Sequence, residues 1–141
     1  MKLIIIRHGD PDYSIDSLTE KGWREAELLS ERISRLDVKA FYCSPLGRAK
    51  DTASLTLKKM NRKAKTLNWL REFEGRVSIN GEMKRAWDRI PREWTDNDDY
   101  YCPDKWLKTD LMQSGTVEKE YKKLCRGVDK LLERYGYVHE G

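Results

Sequence analysis

The chain has 141 residues and a formal net charge of +4, a length that suits one domain. Its charged fraction of 37% exceeds the usual ~25%, no apolar stretch is long enough to span a bilayer, and no aromatic-interleaved basic motif accompanies the mild positive excess, so membrane and nucleic-acid partners are set aside. Cys43, Cys102 and Cys125 are scattered, odd in number and without metal spacing, and Met1-Lys2 leads toward a strand rather than a signal peptide, so reduced thiols and a cytoplasmic location are expected.

Lys2 to Arg7 predicts a first strand, because Leu3-Ile4-Ile5-Ile6 reads as an apolar run suited to a central parallel position. It delivers Arg7-His8-Gly9 to the carboxyl end of that strand, where ligands sit in open α/β sheets. A loop is expected through Asp10-Pro11-Asp12. Thr19 is a plausible N-cap for a helix with Glu20 in its first turn. Trp23, Ala26, Leu29, Ile33 and Leu36 recur at helical spacing as its buried stripe.

Val38 to Ser44 predicts a second strand with Cys43 in the core, stopped by Pro45. A second helix is expected from Leu46 to Met60, with Ala49 and Ala53 suited to close packing, and a third strand from Thr66 to Leu70. The basic run Lys58, Lys59, Arg62, Lys63 and Lys65 reads as a solvated helix end. Strand, helix, strand, helix, strand implies right-handed parallel crossovers. After Gly75 the character changes. Residues 76–113 read as a variable cap-like insertion within one domain spanning 1–141, with a short helix expected from Gly81 to Ile90 and an irregular aromatic segment from Pro91 to Lys105. Thr116 opens a last helix with Val117, Tyr121, Leu124, Val128, Leu131 and Leu132 as its stripe and Gly136 as its C′ residue.

Three of these junctions carry reactive groups. Arg7-His8-Gly9 supplies a planar guanidinium, an imidazole and a backbone without side-chain bulk. Ser44-Pro45-Leu46-Gly47-Arg48-Ala49 turns a strand into a helix, whose N-terminus suits an anion. Arg48 lies in the first turn, where the helix dipole disfavours a cation, so something anionic should compensate it. Arg71-Glu72 places a carboxylate after the third strand, able to exchange a proton with a leaving group or a water.

Taken jointly, Arg7-His8-Gly9 with Leu18-Thr19, Gly22 and Ala26, then Ser44-Pro45-Leu46-Gly47-Arg48-Ala49 with Thr52-Ala53, then Leu70-Arg71-Glu72 with Gly75, resembles the histidine phosphatase superfamily, also called phosphoglycerate mutase-like. The resemblance implies an α/β fold, a three-layer α/β/α sandwich with a mainly parallel sheet and an active site at the carboxyl ends of its strands. It implies His8 as the nucleophile that becomes phosphohistidine, Arg7, Arg48 and Gly9 as the phosphate-binding residues, and Glu72 as the proton donor and acceptor. The expected activity is that of a phosphomonoesterase acting on a small phosphorylated substrate. Guanidiniums neutralise the dianion and hold it for attack, a neutral imidazole attacks phosphorus, and nothing in this chemistry requires a metal or a cofactor. One ring nitrogen must be held by an acceptor that sequence does not identify. Asp12, if it faces inward, would repel a second anionic group on the substrate, which favours hydrolysis over phosphoglycerate mutase-type transfer.

The family uses a second histidine after a later apolar strand. The chain has 2 histidines, and His139 is rejected for that role because no apolar run precedes it. The chain is therefore expected to be incomplete at its C-terminus. The first strand would then have an unpaired edge, open to a homodimer partner or a complementing C-terminal segment. Two alternatives stay open: phosphoglycerate mutase-type phosphoryl transfer, and a non-catalytic phospho-ligand binder or partner-dependent fragment that lacks the second histidine.

Overall fold

A computed structural model describes residues 2–140; Met1 and Gly141, the ends of the expected 1–141 domain, lie outside the described residues. The chain divides into two units, one running through Arg71 and the other starting at Glu72.

The first unit is built on two helices. Strands β1 (Pro11–Asp12) and β2 (Ser17–Leu18) pair antiparallel, Pro11 with Leu18 and Asp12 with Ser17. Helix α1 spans Glu20–Ile33, and Thr19 caps it: its Oγ1 accepts from Gly22 N at 3.1 Å. Strand β3 (Tyr42–Cys43) leads to helix α2 (Gly47–Lys59), and β4 (Lys65–Thr66) returns parallel to β3. A single 3-10 turn, Asn68–Leu70, follows.

Helices α1 and α2 pack together. The face that α1 buries is Gly22, Ala26, Ser30 and Ile33, whereas Trp23 and Leu36 of the expected stripe are exposed. Small residues win this face because they let two backbones approach. On α2 the buried positions are Arg48, Thr52 and Thr56 rather than Ala49 and Ala53, which are half-buried. Cys43 is buried, as expected, and that desolvation raises its thiol pKa.

Several expectations are corrected here. Residues 2–7 form no ladder among the described residues, and Leu3, Ile4, Ile5 and Ile6 are all exposed. An apolar run makes a strand only where a second strand meets its N–H and C=O groups. The expected loop at 10–12 contributes to a hairpin, closed by Thr19 N donating to Asp10 O at 3.0 Å. The strands expected over 38–44 and 66–70 shorten to the two-residue β3 and β4.

The second unit holds its own core. Strands β5 (Arg76–Ile79) and β6 (Glu82–Arg85) form an antiparallel hairpin across Asn80-Gly81, with φ of 52° and 81°. Positive φ at both central residues is the geometry that Asn-Gly favours. This replaces the helix expected over Gly81 to Ile90. Short helices α3 (Pro91–Thr95) and α4 (Asp110–Gln113) and two 3-10 turns bring Trp94, Tyr100 and Trp106 against a core of Val77, Ala86, Met112 and Val117. Trp94 meets Tyr100 edge to face at 5.2 Å between ring centres, and Trp106 meets Tyr121 at 4.9 Å. Helix α5 (Val117–Glu133) ends where Gly136 takes φ 79°; Gly136 N donates to Glu133 O and Tyr137 N to Leu132 O. Of its apolar stripe only Val117 is fully buried, with Tyr121, Leu124, Val128, Leu131 and Leu132 half-buried. The three ladders are two-stranded, β3-β4 parallel and the other two antiparallel, so the described residues form a mixed helix and strand structure with small sheets. No helix among them is long and apolar enough to cross a membrane.

Candidate active site

The His8 loop is fixed by contacts from both helices of the first unit. Gly9 N donates to Thr52 Oγ1 at 3.0 Å, and that hydroxyl donates to Arg48 O at 2.7 Å. The residue after the imidazole is thus tied to the first turns of α2. On the other side, the Gly9 backbone lies against α1. A Cβ at Gly9 would come within 2.9 Å of Gly22 O, and one at Gly22 within 2.2 Å of Asp10 O. Both positions need glycine because backbone meets backbone there. Asp10 N donates to Glu25 Oε2 at 2.8 Å, and Asp10 Oδ2 accepts from Thr19 Oγ1 at 2.7 Å, so the start of α1 carries the loop.

His8 is half-buried, and its Nδ1 lies 2.8 Å from Gly9 O. A carbonyl only accepts, so Nδ1 must carry the proton. In the neutral ring the lone pair then belongs to Nε2. This main-chain oxygen is the acceptor that sequence did not identify. Arg7 is exposed beside it.

Arg48 is buried at the start of α2, its side chain 11% exposed. Its Nη1 donates to Asp16 Oδ1 at 2.7 Å, while Asp16 Oδ2 accepts from Gly47 N at 2.7 Å. The Tyr13 ring lies 5.3 Å from the guanidinium carbon. Helix α2 has no acid in its first turn and no side-chain N-cap bond, so Asp16 supplies the negative charge that its N-terminus and Arg48 both call for. The Gly47 N–H is the main cause that holds the Asp16 carboxyl below the ordinary range; desolvation opposes it and Arg48 adds to it. Ser17 Oγ donates to Asp51 Oδ2 at 2.5 Å and ties the hairpin to α2.

Asp12 turns inward on its own loop. Its Oδ1 accepts from Ser14 N at 2.9 Å and Ser14 Oγ at 2.6 Å, and the Ser14 side chain is the main cause that lowers its pKa. Glu72 is exposed at the start of the second unit, after the 3-10 turn. His139 is exposed, with Nδ1 3.2 Å from Asp129 Oδ1.

The sequence pointed to His8, Glu72, Arg7, Arg48 and Gly9; hydrogen bonds through Thr52 link the loop of His8 and Gly9 to Arg48. It did not single out Asp16, and it gave Thr52 no role. The demand for an anion near Arg48 was the signal for Asp16, but Asp10 and Asp12 met it equally well on paper. What the arrangement offers is an imidazole with a fixed tautomer, on a loop whose Gly9 N–H is bonded to Thr52 of a helix that carries a buried guanidinium.

The family model described as histidine phosphatase superfamily (branch 1) matches residues 3–134. A 2,3-bisphosphoglycerate-dependent phosphoglycerate mutase of Thermoplasma acidophilum is 38% identical over 69 residues, covering 42% of this chain and 34% of that protein. Among solved structures, one titled mycobacterial hydrolase 1 aligns with TM-score 0.46 and 19% identity over 84% of this chain and 60% of its own. A mycobacterial glucosyl-3-phosphoglycerate phosphatase in complex with VO3 aligns with TM-score 0.46 and 20% identity over 84% of this chain and 62% of its own. The chain thus spans less than two thirds of each of these relatives.

Proposed function

The chain belongs to the histidine phosphatase superfamily, and from that premise we propose that it is a metal-independent phosphomonoesterase acting through phosphohistidine on His8. The observation that carries this reading is the bond between His8 Nδ1 and Gly9 O, which leaves Nε2 as the nucleophilic nitrogen. Nε2 attacks phosphorus, the ester P–O bond breaks, and the leaving oxygen takes a proton from the Glu72 carboxyl. Water then attacks the phosphorus, the N–P bond breaks, and the Glu72 carboxylate takes the proton of the water. Arg7 and Arg48 bind the phosphoryl oxygens in both steps, where fixed positive charge stabilises the developing negative charge. The role of Glu72 rests on its match to the family's motif.

Gly9 holds the loop through its N–H bond to Thr52 and its close approach to α1. For the whole protein we propose the family's three-layer sandwich with a mainly parallel sheet, in which Leu3–Ile6 finds the strand partners it lacks among the described residues. A cytoplasmic location and a small phosphorylated substrate belong to the same proposal. A mutase reading is favoured by one observation, the name of the Thermoplasma acidophilum relative. Product analysis separates the two. Hydrolysis gives inorganic phosphate from an aryl phosphate in proportion to the phenol released, and His8→Ala abolishes both. Turnover that survives His8→Ala contradicts the nucleophile, and phenol release matched by a phosphorylated acceptor rather than free phosphate establishes transfer.

A further inference from the structure

We propose that Asp16 is a positioning residue of the phosphate site, holding the Arg48 guanidinium in the orientation that receives the oxyanion; this rests on the reading above that Arg48 binds phosphate. The Asp16 carboxylate bonds to neighbouring donors of α2: Oδ2 accepts from Gly47 N and Oδ1 from Arg48 Nη1, each at 2.7 Å, and the Arg48 backbone N–H adds to them. A guanidinium is a rigid planar fork, so a strong bond at Nη1 anchors one end of it and restricts where its other N–H groups can lie. The guanidinium carbon lies over the Tyr13 ring, 5.3 Å from its centre.

Two backbone features serve this contact. Asp16 takes φ 50°, in the left-handed region that few residues other than glycine occupy and that Asp and Asn tolerate best. Gly47 lies so close to it that a Cβ there would come within 2.0 Å of Asp16 O. An acid at positive φ and a glycine without room for a methyl, far apart in sequence, thus meet at one point. The helix that receives them has no acid of its own in its first turn. Thr52, which accepts from Gly9 N and donates to Arg48 O, connects the same turn to the His8 loop.

The test is calorimetric titration of inorganic phosphate into the full chain, wild type against Asp16→Asn. Asn tolerates the positive φ and keeps an acceptor oxygen, so it removes the charge with little other change. Affinity for phosphate falls about tenfold, the scale of one charge-assisted hydrogen bond. KM for an aryl phosphate rises with it while kcat changes less, which a purely structural role would not produce in the folded variant. Asp16→Glu keeps the charge one methylene away and weakens binding less than Asn; if the Asn variant does not fold, Glu decides alone, and unchanged affinity overturns the proposal. Unchanged affinity in folded Asp16→Asn overturns it as well. Tighter binding overturns it too, because Asp16 would then compete with phosphate for Arg48. Wild type that binds no phosphate contradicts the proposed function and this assignment with it, whereas wild-type binding with an insensitive Asp16 variant leaves the proposed function standing.

Discussion

Replacing Thr52 with Val tests the link between the nucleophile loop and α2. Val keeps the β-branched shape, so no cavity opens at this residue, which is 5% exposed. What is lost is the hydroxyl that accepts from Gly9 N at 3.0 Å and donates to Arg48 O at 2.7 Å. Leaving the Gly9 N–H without its partner costs about 1–3 kcal/mol. With a urea slope of roughly 2 kcal/mol per M, the unfolding midpoint falls by roughly 0.5–1.5 M. Amide exchange at Gly9 should quicken in the same variant, because the bond that protects that N–H is gone. Thr52→Ser restores the hydroxyl and loses a methyl, so it should cost only about 0.8 kcal/mol. A Val variant as stable as wild type, with Gly9 exchange unchanged, would refute the claim that Thr52 anchors the His8 loop.

Gly22→Ala sets two effects against each other. Helix propensity favours Ala by about 0.8–1 kcal/mol, but the new Cβ would lie 2.2 Å from Asp10 O, and overpacking of that kind costs about 1–3 kcal/mol. Net destabilisation in urea is expected, and a stabilised variant contradicts the packing of the loop on α1. The Asp16 carboxyl titrates below its ordinary value of 3.8 in the folded chain, chiefly through the Gly47 N–H, so its contribution is present above that value and is lost as pH falls through the lower folded one. The stability gap between wild type and Asp16→Asn should therefore be constant near neutrality and close below about pH 3.8; a gap that persists in stronger acid contradicts the bond. Arg48→Ala should weaken phosphate binding by about 1.5–3 kcal/mol, read by titration, and unchanged affinity removes Arg48 from the site.

The helices were the most legible part of the sequence, for local reasons. Thr19 and Gly136 mark their ends by chemistry that acts within one turn, and both do what their residue types favour. The parallel return of β4 to β3 follows from the strand, helix, strand order. The sequence did not reveal the β5-β6 hairpin although Asn80-Gly81 announces it, because Glu82-Met83-Lys84-Arg85 is too polar to read as a strand and all four residues are exposed. The strand expected at Leu3–Ile6 shows the opposite failure: strong propensity without a partner among the described residues makes no ladder. In the site, residue types pointed to His8 and Arg48. The acceptor of the His8 ring is a backbone oxygen, which no residue identity reveals. Asp16 was hidden among neighbouring acids, because its φ and not its type singles it out.

The most direct measurement is to expose the full chain to an aryl phosphate, quench it rapidly, and map any acid-labile phosphoryl group by peptide mass spectrometry. A phosphoryl group on Nε2 of His8, absent from the His8→Ala variant, is the predicted result. Phosphate released with no adduct at His8, or an adduct on another side chain, would contradict the account.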